Sequence, residues 1–281
     1  MFTQEELERV GIEAMLDAYE NHQKLGKNNI LPYKKNQFGE TCLEGDWQAE
    51  ERVIETFGRH KVPITIISEE HGRIEIGKEF TCVLDGQDGT NRLIAFMNGD
   101  ENARYGTMLG IFRGTDPTYE DYIFNAIMEH RTSRLIFGAK NKGAFSMDVS
   151  NNTTTHVQTS QKRDFNMLEI LADYYPGNPF NNTLEDYVKK LHHVNSLRSS
   201  AAHYVDLVSG KVDVVIECTR KGNLEFAVGY GMVREAGGVV VTLDGEDIGN
   251  KKYFDFGQKE HIPVVFASDI YVARKFIKQI E

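Results

Sequence analysis

Cysteine is scarce. Only Cys42, Cys82 and Cys218 occur among 281 residues, far apart and with no Cys-x-x-Cys pair. That excludes a disulfide framework, argues against a cysteine-rich zinc site, and implies a reducing compartment. No apolar run approaches the ~18 residues that a membrane-spanning helix needs. The opening Met1-Phe2-Thr3-Gln4-Glu5-Glu6 is polar and acidic, unlike a secretory leader, so a cytoplasmic setting is expected. Positive charge is also short: 32 Lys and Arg stand against 42 Asp and Glu, a net charge of −10. A surface built to hold nucleic-acid phosphates would tip the other way, so neither a nucleic-acid polymer nor a membrane is expected as a partner. The nine histidines form no His-Glu-x-x-His pattern, and His192-His193 reads as a solvated helix end. The single tryptophan, Trp47, reads as a core residue.

What is present describes an ordinary globular chain. Hydrophobic residues make up 40% and charged residues 26%, enough to bury a core without staples. Thr3-Gln4-Glu5-Glu6 is a capping box, and Leu7, Val10, Met15 and Tyr19 follow at helical spacing. A second helix is expected to start near Asp46, with Ala49, Val53, Ile54 and Phe57 on its buried face. Residues 63–67 and 80–84 read as strands, and 105–112, 122–128, 133–137 and 142–145 as an antiparallel meander. The stretch 146–161 holds Asn151-Asn152-Thr153-Thr154-Thr155 and few large apolar residues, so a boundary is expected there. It divides an α+β part, residues 1–148, from an α/β part, residues 149–281. The second part alternates strand and helix, with helices predicted at 183–192, 200–209, 225–236 and 269–280.

The strongest local signal is Asp85-Gly86-Gln87-Asp88-Gly89-Thr90, at the end of an apolar strand. Two carboxylates three residues apart on a glycine-rich turn can converge on one point, and the Gly89 and Thr90 amides could face an anion. A tight hairpin is the competing reading, because Asp-Gly is a hairpin dipeptide. Ser68-Glu69-Glu70-His71-Gly72 also follows a strand and could equally be a solvated acidic loop. Asp46 could be a helix cap, and Glu225 could simply favour a helix N-terminus. All four acidic sites sit at strand ends or helix starts, where ligand sites form. An all-carboxylate set suits Mg²⁺ or Mn²⁺, because such groups cannot converge without cations between them.

Taken in order, Glu69-Glu70, the Asp85-to-Thr90 hexapeptide, and Leu224-Glu225-Phe226-Ala227-Val228-Gly229 with Glu235-Ala236-Gly237-Gly238 resemble the three signatures of the inositol monophosphatase superfamily. Lys142-Gly143-Ala144-Phe145 and Ser199-Ser200-Ala201-Ala202 resemble weaker blocks of the same family. The resemblance implies a layered αβαβα sandwich and a Mg²⁺-dependent phosphomonoesterase acting on a small sugar or polyol phosphate. It implies two or three Mg²⁺ ions, with Mn²⁺ as a possible substitute, and a homodimer. By the same resemblance, Glu69, Asp85 and the Gln87 carbonyl match one metal site, and Asp85, Asp88 and Glu225 match a second. Glu69 also matches a ligand of a third ion. Thr90 and Asp46 match the pair that orients the attacking water. Gly89 and Thr90 match phosphate contacts, and Ser200 and Glu217 match contacts to the alcohol. Lys35 falls where the family often has a lysine.

Three positions depart from the family pattern. Glu225 stands for Asp, Gly86 for Pro and Leu224 for Trp. A 3′(2′),5′-bisphosphate nucleotidase and a fructose bisphosphatase are alternatives on the same scaffold. Arg220 and Lys221 could either hold a second phosphate or be solvated. A metal-dependent binding or regulatory protein is the alternative of another class. Thr90→Ala separates the two, since only an enzyme has turnover to lose.

Overall fold

The computed structural model describes residues 2–37, 39–164, 167–178, 181–191, 194–220 and 222–280. His192, His193 and Lys221 lie outside the described residues. In chain order the elements are α1 (Gln4–Leu25), β1 (Pro32–Lys35), β2 (Thr41–Leu43), α2 (Glu44–His60), β3 (Ile64–Ser68), β4 (Arg73–Glu75), β5 (Phe80–Asp88) and α3 (Thr90–Met97). The meander follows as β6 (Gly106–Arg113), β7 (Tyr122–Glu129), β8 (Arg134–Ala139), β9 (Gly143–Asp148) and β10 (Thr153–Val157). The remainder is β11 (Ile170–Ala172), α4 (Asn181–Val188), β12 (Val194–Asn195), α5 (Ser200–Val208), β13 (Val214–Cys218), α6 (Leu224–Glu235), β14 (Val239–Thr242), β15 (Pro263–Ala267) and α7 (Ile270–Ile280).

Side-chain alternation along two central strands explains the layering. A strand sends successive side chains to opposite faces. On β5, Cys82 and Leu84 face one core with Val10, Met15, Val53 and Phe57 of α1 and α2. Val83 faces the other, with Tyr204 and Leu207 of α5 and Phe226 and Met232 of α6. On β13, Val215 joins that same middle core, whereas Val214 and Ile216 face a third core with Leu184 of α4 and Phe276 of α7. The result is five layers: α1/α2, the eight-stranded sheet, α5/α6, the five-stranded sheet, and α4/α7. This is the αβαβα sandwich. The sheet orders are β10-β9-β8-β7-β6-β5-β3-β4 and β12-β11-β13-β15-β14.

Several local readings differ from the sequence expectation. Residues 85–88 are not a hairpin turn. They continue β5, with a bulge between Asp85 and Asp88 against β6. A bulge re-aims side chains without ending the strand. The Asn- and Thr-rich stretch contains β10, an exposed edge strand paired with β9. Trp47 is half-buried beside the β1–β2 hairpin, with Lys34 Nζ 4.5 Å from its ring and the His71 ring tilted against it 4.0 Å away. The α1 capping box is present as read. The aromatic residues Tyr253, Phe254 and Phe256 pack against the middle core.

Gly86 sits where α2 meets β5. A Cβ there would lie 2.3 Å from the Asp46 carbonyl oxygen, a backbone atom that cannot step aside. Gly86→Ala is therefore expected to cost about 1–3 kcal/mol of stability by overpacking. Urea unfolding checks this, and an unchanged midpoint would contradict it.

Candidate active site

Strands β3 and β5 are parallel neighbours, with Ser68 paired to Leu84. One residue further on, both strands deliver acids at the same sheet edge: Glu69 and Asp85. Parallel strands place ligand sites beyond their C-terminal ends, so this edge is where chemistry is expected. Asp85 shares the Val83 face of β5, turned toward α5 and α6. The bulge then carries Asp88 to the N-terminus of α5, where its carboxylate accepts from Ser199 Oγ at 2.6 Å and Ala201 N at 2.8 Å. Glu225 enters from the first turn of α6. One carboxylate oxygen each from Asp85, Asp88 and Glu225 lies within 4.8 Å of the others.

These acids line a cleft of about 440 Å³ together with Glu69, Gln87, Gly89, Thr90, Ser200 and Arg220. Burial, then the charges of Glu69, Asp88 and Glu225, push the Asp85 carboxyl well above the usual range. Burial and Glu225 raise Asp88 to about 6. Burial, Glu225, Glu70 and Glu50 raise Glu69 to about 8. Such crowding of buried acids is what a divalent cation relieves. The donor set is all oxygen, which fits Mg²⁺. Asp46, also buried, keeps Oδ1 without a hydrogen-bond partner.

A model of the inositol monophosphatase family matches residues 1–271. The chain belongs to that family. A fructose-1,6-bisphosphatase/inositol-1-monophosphatase of Methanocaldococcus jannaschii is 24% identical over 206 residues, 73% of this chain and 72% of the relative. Among solved structures, the extragenic suppressor protein suhB of Bartonella henselae superposes with a TM-score of 0.74 at 16% identity, covering 97% of each chain. A hypothetical Pyrococcus horikoshii protein with similarities to inositol-1 monophosphatase gives 0.71 at 22% identity, covering 99% of this chain and 100% of its own. At such identities these likenesses establish the fold, an inositol monophosphatase sandwich.

Within this family member, the residues singled out by sequence are placed as follows. Glu69, Asp85, Gln87, Asp88, Gly89, Thr90, Ser200 and Glu225 all line the one cleft. Thr90 Oγ donates to the Gln87 carbonyl at 3.2 Å, and no Thr90–Asp46 hydrogen bond occurs among the described residues. Glu217 lies behind Ser200. It accepts from Ser200 Oγ at 3.3 Å, His203 Nδ1 at 2.9 Å and Tyr204 OH at 2.8 Å. Lys35 is exposed and donates to the Gly39 carbonyl at 3.0 Å. Arg220 is half-buried and ion-paired. Its guanidinium lies 2.7 Å from Glu225 and 3.6 Å from Asp173.

Sequence reasoning passed over Glu50. Its fully buried carboxylate accepts from the backbone N–H of Glu69, Glu70 and His71 at 3.0–3.2 Å and from His71 Nδ1 at 2.8 Å. The available signal was spacing: Glu50 follows Asp46 by four residues, on one helix face. Glu235 belongs to the third signature. Its carboxylate accepts from Tyr122 OH and from the N–H of Asn141 and Gly143, so two sequence blocks far apart in the chain meet there.

A buried histidine pair braces the bulge from below. Thr107 Oγ donates its one proton to the Gly86 carbonyl at 2.9 Å, so His130 Nε2, also 2.9 Å away, must be the donor to Thr107. The His130 ring lies 4.0 Å from that of His22, tilted by 31°. Burial lowers His22 to about 4, and burial and His22 lower His130 well below the ordinary value. Both folded values lie under the unfolded value of about 6.5, so their stabilisation is complete above that pH and fades as pH falls toward 4. His130→Gln keeps a donor for Thr107. Between pH 7 and pH 5, wild type is expected to lose up to about 2 kcal/mol relative to His130→Gln in urea unfolding. Parallel pH curves for the two proteins would contradict this.

Proposed function

We propose that this chain is a Mg²⁺-dependent phosphomonoesterase that hydrolyses small sugar or polyol phosphates. The observation that carries this reading is the convergence of Asp85, Asp88 and Glu225 oxygens within 4.8 Å, in a cleft lined by the first turns of α3, α5 and α6. Glu69, Asp85 and the Gln87 carbonyl would hold one ion, and Asp85, Asp88 and Glu225 another, with Glu69 available to a third. When bound, the cations supply charge neutralisation and activation of water for in-line attack. The protein supplies the rest. The Gly89 and Thr90 amides at the start of α3 bind the phosphoryl oxygens. Thr90 Oγ, fixed on the Gln87 carbonyl, orients the water, with Asp46 as the proposed carboxylate that takes up its proton. Ser200 contacts the alcohol, and Glu217 holds Ser200 in place.

Fructose 1,6-bisphosphate belongs with inositol phosphates as a substrate. The relatives' names join the two activities, and Arg198 and Arg220 line the cleft. Two or three Mg²⁺ ions, Mn²⁺ as a substitute, a homodimer, a cytoplasmic setting and a division near residue 148 are parts of the same proposal. No helix among the described residues is long and apolar enough to cross a membrane. The test is phosphate release from inositol phosphates, sugar phosphates, fructose 1,6-bisphosphate and adenosine bisphosphate. Turnover is expected with Mg²⁺ and none with EDTA. Hydrolysis that persists in EDTA overturns the reading.

A further inference from the structure

Arg220 is a half-buried cation among the acids of the cleft, reached from the turn between β13 and α6. One guanidinium nitrogen contacts Glu225 Oε1 at 2.7 Å and Ser200 Oγ at 3.3 Å, and the other lies 3.6 Å from Asp173 Oδ2. The backbone fixes its base. Arg220 N donates to Asn223 Oδ1 at 2.6 Å, and Asn223 N donates back to the Arg220 carbonyl at 3.1 Å. Asn223 is held in turn by the Phe256 carbonyl, at 2.7 Å from its Nδ2. The side chain beyond this anchor has room on both sides. Arg220, Glu69 and Glu225 are shared walls of the main cleft and of a second chamber of about 280 Å³, lined also by Ile67 and Leu224.

We propose that Arg220 is a built-in counter-ion that competes with a divalent cation for Glu225. The guanidinium occupies the one member of the Asp85–Asp88–Glu225 group that comes from the second half of the chain. A cation shared by those three oxygens and a guanidinium 2.7 Å from one of them are like charges at close range, so each weakens the other. Glu225 is also one methylene longer than aspartate, which lets its carboxylate serve either partner. Asp173 gives Arg220 a second place to rest. It is buried, lines the same cleft, and already lies within ion-pair range. Arg220 thus moves from Glu225 toward Asp173 when the ion arrives. Ion binding at Glu225 is weaker than the acid cluster alone would give, and it depends on Asp173, a residue that touches no ion.

The inference rests on the metal site proposed above, and the experiment separates the two. Mn²⁺ alone, without substrate, is titrated into the metal-stripped full chain, and free ion is read by electron paramagnetic resonance. Arg220→Met is expected to bind the weakest ion about tenfold tighter than wild type, as removal of a competing positive charge at close range should. Asp173→Asn, which removes the alternative resting place, is expected to bind it several-fold more weakly. Structural damage would weaken binding in both variants, so the opposite signs are diagnostic. Where Arg220→Met does not fold, Arg220→Lys substitutes, and its shorter ammonium is also expected to release Glu225 and tighten the ion. A folded Arg220 variant with unchanged or weaker Mn²⁺ binding, beside an Asp88→Asn control that loses an ion, overturns this inference alone. Wild type that binds no Mn²⁺ overturns the metal reading and this inference with it.

Discussion

Asp85→Asn is expected to lower kcat/KM by about a thousandfold, as the loss of several kcal/mol of transition-state stabilisation requires. Asp85 is the carboxylate that Glu69, Asp88 and Glu225 all crowd, and burial makes that crowding costly. It belongs to both proposed ion sites, so its loss cannot be compensated by a neighbour. The same substitution carries a second expectation of opposite sign. In chelator, removing one buried charge relieves the repulsion. The amide oxygen that replaces the carboxylate can still accept from Gln87 N, as Asp85 Oδ1 does at 2.8 Å. The ion-free variant should therefore be more stable than ion-free wild type by roughly 1–2 kcal/mol. Thermal melts with EDTA and with Mg²⁺ read both effects. Mg²⁺ should raise the melting temperature of wild type and leave that of the variant unchanged. A variant that loses activity and also melts lower in EDTA would point to simple misfolding.

Glu50→Ala should cost more stability than any other single change considered above. Three backbone N–H groups and the His71 ring share this one carboxylate, which is itself fully buried. Leaving them unpaired is expected to cost about 3–5 kcal/mol, or roughly 10 °C in melting temperature for a chain of this size. Glu50→Gln keeps an acceptor oxygen and should cost less than half of that. The functional consequence follows from position. Glu50 fixes residues 69–71, so Glu50→Gln should also weaken Mg²⁺ binding through a misplaced Glu69 while sparing the rest of the fold. Mg²⁺ titration at a temperature where both proteins remain folded checks this. An unchanged Mg²⁺ affinity in Glu50→Gln would show that Glu69 is positioned by something else.

The parts of the fold that could be read in advance were those written in local chemistry. Thr3 and Glu6 close a capping box within four residues, and it forms as read. The meander strands announce themselves through alternation and turn residues, and β6, β7, β8 and β9 pair in that order. The Asp85-to-Thr90 segment was harder. Its glycines and acids suggest a turn, but pairing with β6 overrides that preference and makes it a bulged strand. β10 went unread for the reverse reason. An exposed edge strand of Thr and His buries too little apolar surface to show a pattern.

The site divides along the same line. Sequence alone determined that acids stand at the ends of β3 and β5 and at the starts of α2 and α6, because strand ends and helix starts are local events. It also determined that such acids, brought together, repel unless cations sit between them, because like charges repel at any address. Only the tertiary structure decided which partners they meet. Asp88 finds Ser199 and Ala201 more than a hundred residues away, Glu217 is spent on three neighbours, and Thr90 turns to Gln87 instead of Asp46. Arg220 had two readings in the sequence, solvated or phosphate-binding, and packing gave it a third on Glu225. The physical reason is that a hydrogen bond or ion pair is settled within about 3 Å of space, and that distance depends on how five layers stack.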